Sequence, residues 1–140
     1  MIGLDTNVLV RHIMQDDPKQ SQKASKLIEA LTAESPGFVA VTSVVELVWV
    51  LQSAYGLKRE QVSQALDALL RSKQLLVDQA EHVAKALRAY GQGNADFADC
   101  LIERTAHAAG FDRTIDLPPP AVPFITRKSG AARLIDLGGR

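Results

Sequence analysis

Apolar positions along this chain come in two kinds of run: short solid blocks, and longer stretches with helical spacing. The first block, Ile2-Gly3-Leu4, predicts a short buried strand with Asp5 at its end. Residues 8–14 continue as an apolar stretch expected to be helical. Asp17-Pro18 predicts a helix start, because Asp accepts from orphan amides and Pro suits the first helical position. Ala24, Leu27, Ile28 and Leu31 then recur at helical spacing until Ser35-Pro36-Gly37 breaks the pattern. Phe38-Val39-Ala40-Val41 predicts a second buried strand. A helix opening at Thr42 or Ser43 runs to about residue 55, and Gly56 closes it. Another covers about residues 59–72, with Val62, Ala65, Leu66, Leu69 and Leu70 on its apolar face. Leu75-Leu76-Val77 is an apolar run compatible with either element. Residues 79–90 predict a helix with Ala80, Val83, Ala84 and Leu87 inward, followed by a turn at 91–94. Residues 95–109 predict a further helix ended by Gly110, and 113–116 a strand. Residues 117–123 hold four prolines and suit neither central strand nor helix. A final edge strand is expected within 131–137.

Short apolar strands alternating with amphipathic helices predict an α/β fold, a parallel sheet covered by helices on both faces. In such sheets ligands bind beyond the carboxyl ends of the strands. The 140 residues fit one domain, 1–140, with an atypical Pro-rich segment at 117–140. Apolar residues make up 46%, enough for a sizeable core. Sixteen basic and sixteen acidic side chains cancel, which argues against a protein that coats nucleic acid through phosphate contacts. An enzyme with basic residues clustered near a cleft stays open. Cys100 is the single cysteine, so no intramolecular disulfide forms, and its apolar surroundings suggest a core thiol. With no signal peptide and no membrane-length apolar segment, a soluble cytoplasmic protein is expected.

The candidate chemistry lies in the acids. Asp5 follows a strand, where an open α/β sheet places its site; the competing role is a cap for a helix beginning at Thr6 or Asn7. Glu46 sits among Val44, Val45, Leu47, Val48, Val50 and Leu51, company in which a carboxylate needs a partner or a cation. Its competing role is a capping box, Ser43-x-x-Glu46. Asp96 and Asp99 are three apart on a helical face and repel unless something positive lies between them. Decoration of a first helical turn explains Asp96 well and Asp99 less well. Carboxylates with water suit Mg²⁺ or Mn²⁺. His12, His82 and His107 are scattered and do not suit zinc.

Met1-Ile2-Gly3-Leu4-Asp5-Thr6-Asn7-Val8-Leu9-Val10, then Val44-Val45-Glu46-Leu47-Val48-Trp49-Val50-Leu51, then Ala95-Asp96-Phe97-Ala98-Asp99-Cys100-Leu101-Ile102 resemble the PIN domain. More narrowly they resemble VapC-type toxins of toxin–antitoxin pairs, over about the first 115 residues. The resemblance implies a three-layer α/β/α sandwich with a central parallel sheet. It implies a Mg²⁺-dependent endoribonuclease, usually a homodimer, inhibited by a VapB-type antitoxin. By position Asp5 and Asp99 become the main metal ligands, Glu46 completes the acidic cluster, and Asp96 is an auxiliary acid. Thr6 and Asn7 orient Asp5 or a bound phosphate. The chain departs from the family pattern at the fourth acid: Pro118 stands where an Asp is expected, and Asp116, two positions earlier, is the nearest acid.

In that setting the carboxylates hold metal that activates water against the phosphodiester. Glu46 helps remove the water proton. Arg11, Arg113, Arg127 and Lys128 are candidates for gripping the RNA backbone. Two other readings exist. One is a PIN-like binding module with an impaired metal site that acts through protein partners, favoured by the altered fourth motif. The other is a phosphatase with Asp5 as nucleophile, disfavoured because position 7 is Asn rather than a second acid. The apolar helix over 62–70 is a candidate dimer face, in competition with ordinary core.

Overall fold

The computed structural model describes residues 1–112, 114, 115, 117, 136 and 137. It divides into two compact units, Met1–Leu101 and Ile102–Arg140. The first holds β1 (Ile2–Gly3), α1 (Thr6–Met14), α2 (Pro18–Glu29), β2 (Gly37–Val39), α3 (Val41–Ser53), α4 (Arg59–Arg71), β3 (Leu75–Val77), α5 (Ala80–Gln92) and the start of α6 (Phe97–Ala108). The second holds the rest of α6 with β4 (Thr114–Ile115) and β5 (Asp136–Leu137).

β1, β2 and β3 form a parallel sheet in that order. Ile2 pairs with Gly37, Gly37 with Leu75, and Val39 with Val77. Parallel neighbours cannot be joined by a tight turn, so each crossover carries a helix pair, α1–α2 and then α3–α4. The expected α/β architecture with a parallel sheet is therefore present. The ambiguous run at 75–77 is a strand, its Val77 buried. In the second unit β4 pairs antiparallel with β5, Thr114 opposite Leu137. Arg113, Asp116, Arg127, Lys128 and the prolines from 118 onward lie outside the described residues.

The second expected strand is shorter than its apolar block. β2 ends at Val39, whose carbonyl accepts the Asp78 amide at 2.8 Å. Ala40 turns the chain with φ −65 and ψ 148, and the Val44 amide bonds back to its carbonyl at 3.1 Å. α3 thus opens at Val41, not at Thr42 or Ser43. An apolar block marks burial, and Val41 stays packed against the core from inside a helix.

The core of the first unit joins Leu4, Leu9 and Val39 to Val44, Leu47, Leu51, Val62, Leu66, Val83 and Tyr90. Val62, Leu66 and Leu69 of α4 are buried in it. The apolar face considered for dimerisation is therefore core, since the 3.6-residue period that makes it apolar also turns it inward. Gly37 is needed for close packing: a Cβ there meets Leu31 Cδ1 and Leu4 Cδ1 at 2.8 Å. In the second unit α6 closes at Gly110, φ 96, whose amide bonds to His107 O at 3.0 Å. Gly accepts that left-handed conformation without the steric cost of a Cβ. Glu103, buried, is ion-paired with Arg104.

Candidate functional site

Asp5 follows β1 after Leu4, whose amide extends the sheet by bonding to Phe38 O at 2.8 Å. Burial of Leu4 pins the backbone there and leaves Asp5 exposed at the carboxyl edge. Asp5 occupies the N-cap position of α1, with its carbonyl accepting the Val8 amide at 3.1 Å, yet its side chain makes no cap hydrogen bond. The capping role is thus not taken. Thr6 is buried below it and Asn7 is exposed.

Glu46 lies in the second turn of α3, three residues beyond Ser43, which is itself already inside the helix. The capping-box role is overturned, because α3 opens earlier than the spacing suggested. Glu46 is also exposed rather than sunk among its apolar neighbours. A helix turns about 100° per residue, so Val44, Leu47, Val48 and Leu51 enter the core while Glu46 faces away. Thr42 and Trp49 are exposed with it, and Trp49 is 66% accessible. Val41, Thr42, Val45, Glu46, Trp49 and Leu101 line one open pocket of about 560 Å³. That an indole stands exposed beside Glu46 was not foreseen; the only sequence signal is the spacing from Glu46 to Trp49, three residues and nearly one turn.

Asp96 immediately precedes α6, its carbonyl accepting the Cys100 amide at 3.1 Å, and Asp99 lies in the first turn. Asp96 is exposed and Asp99 half-buried. Phe97 after Asp96 and Cys100 after Asp99 are buried and fix the rotation of the helix; the thiol is core, as expected. Tyr90 stacks edge-on against Phe97 with ring centroids 6.0 Å apart, and burial pushes its phenol above the ordinary tyrosine value.

One further acid emerges from the topology. Register carries the row after Leu4, Val39 and Val77 to Asp5, Ala40 and Asp78. Asp78 therefore follows β3 as Asp5 follows β1, two strands and roughly 10 Å across the same edge. It escaped the sequence reading because 75–77 was not assigned as a strand.

The candidate ligands are all carboxylates, the donor chemistry of a hard divalent cation. Asp5 fits that use, since helix capping does not consume its oxygens. Among the described residues, however, no three His, Cys, Asp or Glu side chains are grouped closely enough to hold a metal ion. The doubtful fourth acid, Asp116, is outside the described residues. Of the candidate RNA contacts, Arg11 is held by Asp16 at 3.4 Å. His12 and His82 lie against Ser25 and Gln79.

Comparison with known proteins places the chain in a family. The family profile of the PIN domain matches residues 2–114. A VapC ribonuclease of Aquifex aeolicus (strain VF5) is 24% identical over 113 residues, covering 80% of this chain and 83% of the relative. No solved structure matches significantly.

Proposed function

The chain belongs to the PIN domain family, and from that premise we propose that it is a divalent-metal-dependent endoribonuclease, the toxin half of a toxin–antitoxin pair. The observation that carries this reading is the Asp5 carboxylate, exposed at the carboxyl edge of a parallel sheet and unused by the helix it precedes. The name of the Aquifex relative supports RNA as substrate.

Asp5 and Asp99 are the residues that would hold the cation, Mg²⁺ or Mn²⁺, with Glu46 and Asp96 as further acids. When bound, such an ion supplies charge neutralisation at the phosphate and acidifies water. Glu46, solvent-exposed, accepts a proton from the attacking water. The first amides of α1, unclaimed by the Asp5 side chain, remain as donors for a phosphate oxygen, with Thr6 and Asn7 setting the local backbone. Arg11 and Arg113 are proposed contacts to the RNA backbone, and Asp116 a further ligand.

Among the described residues no helix is long and apolar enough to cross a membrane. A cytoplasmic location, an antitoxin of the VapB type and a homodimer complete the proposal; the dimer needs a surface other than the α4 face. Residues 1–140 are proposed to act as one PIN-like domain. The lack of a three-ligand group among the described residues favours one rival, a PIN-like module that works through partners without metal chemistry.

The test is direct. Purified chain freed of partner should cut structured RNA in Mg²⁺ or Mn²⁺ and stop when chelator is added. Asp5→Asn and Asp99→Asn should each abolish cutting. Variants that cut like the parent refute the site. A parent that gives no heat on titration with Mn²⁺ and does not cut supports the module.

A further inference from the structure

We propose that Arg59 is a positioning residue for the Asp96–Asp99 end of the site, clamping the turn between α5 and α6 from both sides. The proposal rests on the functional reading of Asp96 and Asp99 given above. Arg59 is the first residue of α4, half-buried, and takes no part in the acidic cluster itself. Its Nη1 donates to Tyr90 O at 2.8 Å and to Ala95 O at 2.7 Å. Its guanidinium lies over the Tyr90 ring, 4.2 Å from the centroid.

These contacts have separate physical consequences. Tyr90 lies in the last turn of α5, where carbonyls have no partner along the helix and carry partial negative charge. A half-buried cation there satisfies an orphan acceptor and complements the helix dipole. Ala95 is the residue immediately before Asp96. One nitrogen therefore ties the departing end of α5 to the residue that launches the first acid. Between the two anchored carbonyls lie Gly91 and Gln92, the last residues of α5, and Gly93 and Asn94 beyond it, all exposed. A glycine in the last turn of the helix and another just past it let the backbone leave α5 in several directions. Without the clamp, the turn holds neither the direction in which α6 begins nor the place of Asp99 one turn later. Tyr90 continues the restraint, since its ring also meets Phe97 edge-on. Gln52 of α3, which donates to the Tyr90 hydroxyl, fixes the ring from the opposite end.

A purely structural arginine would stabilise the whole first unit; a positioning arginine acts on one turn and on the ions the acids hold. The full chain is compared with Arg59→Met and Arg59→Lys by amide hydrogen exchange, by Mn²⁺ titration calorimetry, and by RNA cleavage with kcat and KM separated. For Arg59→Met, exchange should rise at least tenfold, confined to residues 91–99, while α3 amides such as Leu47 and Val48 keep the parent rate. Mn²⁺ binding should weaken by roughly 10–100-fold, the usual effect of losing a residue that orients ligands. The kcat should fall with little change in KM for RNA. Lysine keeps the charge and can reach a carbonyl, but it lacks both the fork and the plane that lies on Tyr90, so Arg59→Lys should recover only part of the loss. Should Arg59→Met not fold, Arg59→Gln is read by the same criteria. Parent-like exchange and Mn²⁺ binding in the variant overturn the proposal, and so does exchange that accelerates equally in α3. A parent chain that neither binds Mn²⁺ nor cuts RNA overturns the functional reading instead, and the exchange pattern still decides whether Arg59 holds the turn.

Discussion

The starts of α1 and α2 use the same residue for different ends. Each helix is preceded by an aspartate in extended conformation, Asp5 at φ −79, ψ 155 and Asp17 at φ −117, ψ 109. The Asp17 carboxylate accepts the Gln20 amide at 3.1 Å, and Pro18 follows at the first helical position. Its neighbour Asp16 accepts from the Tyr55 hydroxyl at 2.7 Å and from Arg11 at 3.4 Å. Asp5 has the position of a cap and no cap bond. The acids before α2 are consumed by the fold, whereas the acid before α1 is left available. Where a protein breaks a local stabilising rule at the edge of a sheet, function is the usual reason.

The sharpest way to break this contrast is to exchange the two acids' roles. Asp5→Asn should lower RNA cleavage about a hundredfold or more. Its stability should stay within about 0.5 kcal/mol of the parent, because no native bond of the side chain is lost. Asp17→Ala should do the reverse: cleavage unchanged and unfolding free energy reduced by about 1 kcal/mol, the usual worth of a helix cap. Urea unfolding and a cleavage assay on both variants decide. If Asp17→Ala loses cleavage, or Asp5→Asn loses as much stability as Asp17→Ala, the division between spent and unspent acids is wrong.

A second comparison sharpens what holds Asp5 in place. Gly37 and Gly3 lie on neighbouring strands one row apart, Gly37 opposite Ile2 and Gly3 opposite Phe38. A Cβ at Gly37 meets two leucine methyls at 2.8 Å, one of them from Leu4, while at Gly3 nothing lies within 4 Å. Gly37→Val should cost about 1–3 kcal/mol through overpacking. It should also lower cleavage by shifting Leu4, the residue before Asp5. Gly3→Ala should leave stability within about 0.5 kcal/mol. Equal effects at the two glycines would show that Leu4 does not set the Asp5 backbone.

Much of this was readable from the chain, for reasons that differ between sites. Asp17-Pro18 named its helix start correctly because capping is a local interaction with a local signature. The helices of the first unit were legible from period alone, their ends shifted by a residue or two. The surroundings of Glu46 are not legible in its apolar neighbours, because neighbours in sequence are not neighbours in space and a helix turns them to different faces. The apparent capping box failed because the end of β2 is fixed by pairing with β3, a long-range event that Ser43 and Glu46 do not record. Asp78 and Arg59 were invisible for the same reason. Asp78 matters through strand register, and Arg59 through carbonyls 31 and 36 residues away.

The smallest expected effect concerns the Asp16–Tyr55 pair, which completes the structural side of the comparison. The Tyr55 hydroxyl bonded to Asp16 holds that carboxyl below its ordinary value, with Arg11 adding to the same direction. The same bond raises the Tyr55 phenol above its ordinary value. A lowered folded-state carboxyl contributes stability above its unfolded pKa and loses it as pH falls through the folded value. A raised phenol contributes stability below its unfolded pKa and loses it as pH rises through the folded value. Tyr55→Phe removes both contributions, so the parent should exceed the variant in stability at neutral pH. That gap should close toward the acid end and again toward the alkaline end. The Tyr55 hydroxyl and the Asp16 carboxylate meet in solvent although the Tyr55 ring is half-buried, so the gap should be small and further reduced by salt. Cleavage should match the parent at neutral pH, since neither group belongs to the acidic cluster. Urea midpoints measured across pH test this. A gap that stays constant from acid to alkali means the pair contributes nothing through its ionisation, and a loss of cleavage in Tyr55→Phe would place the start of α2 inside the functional site after all.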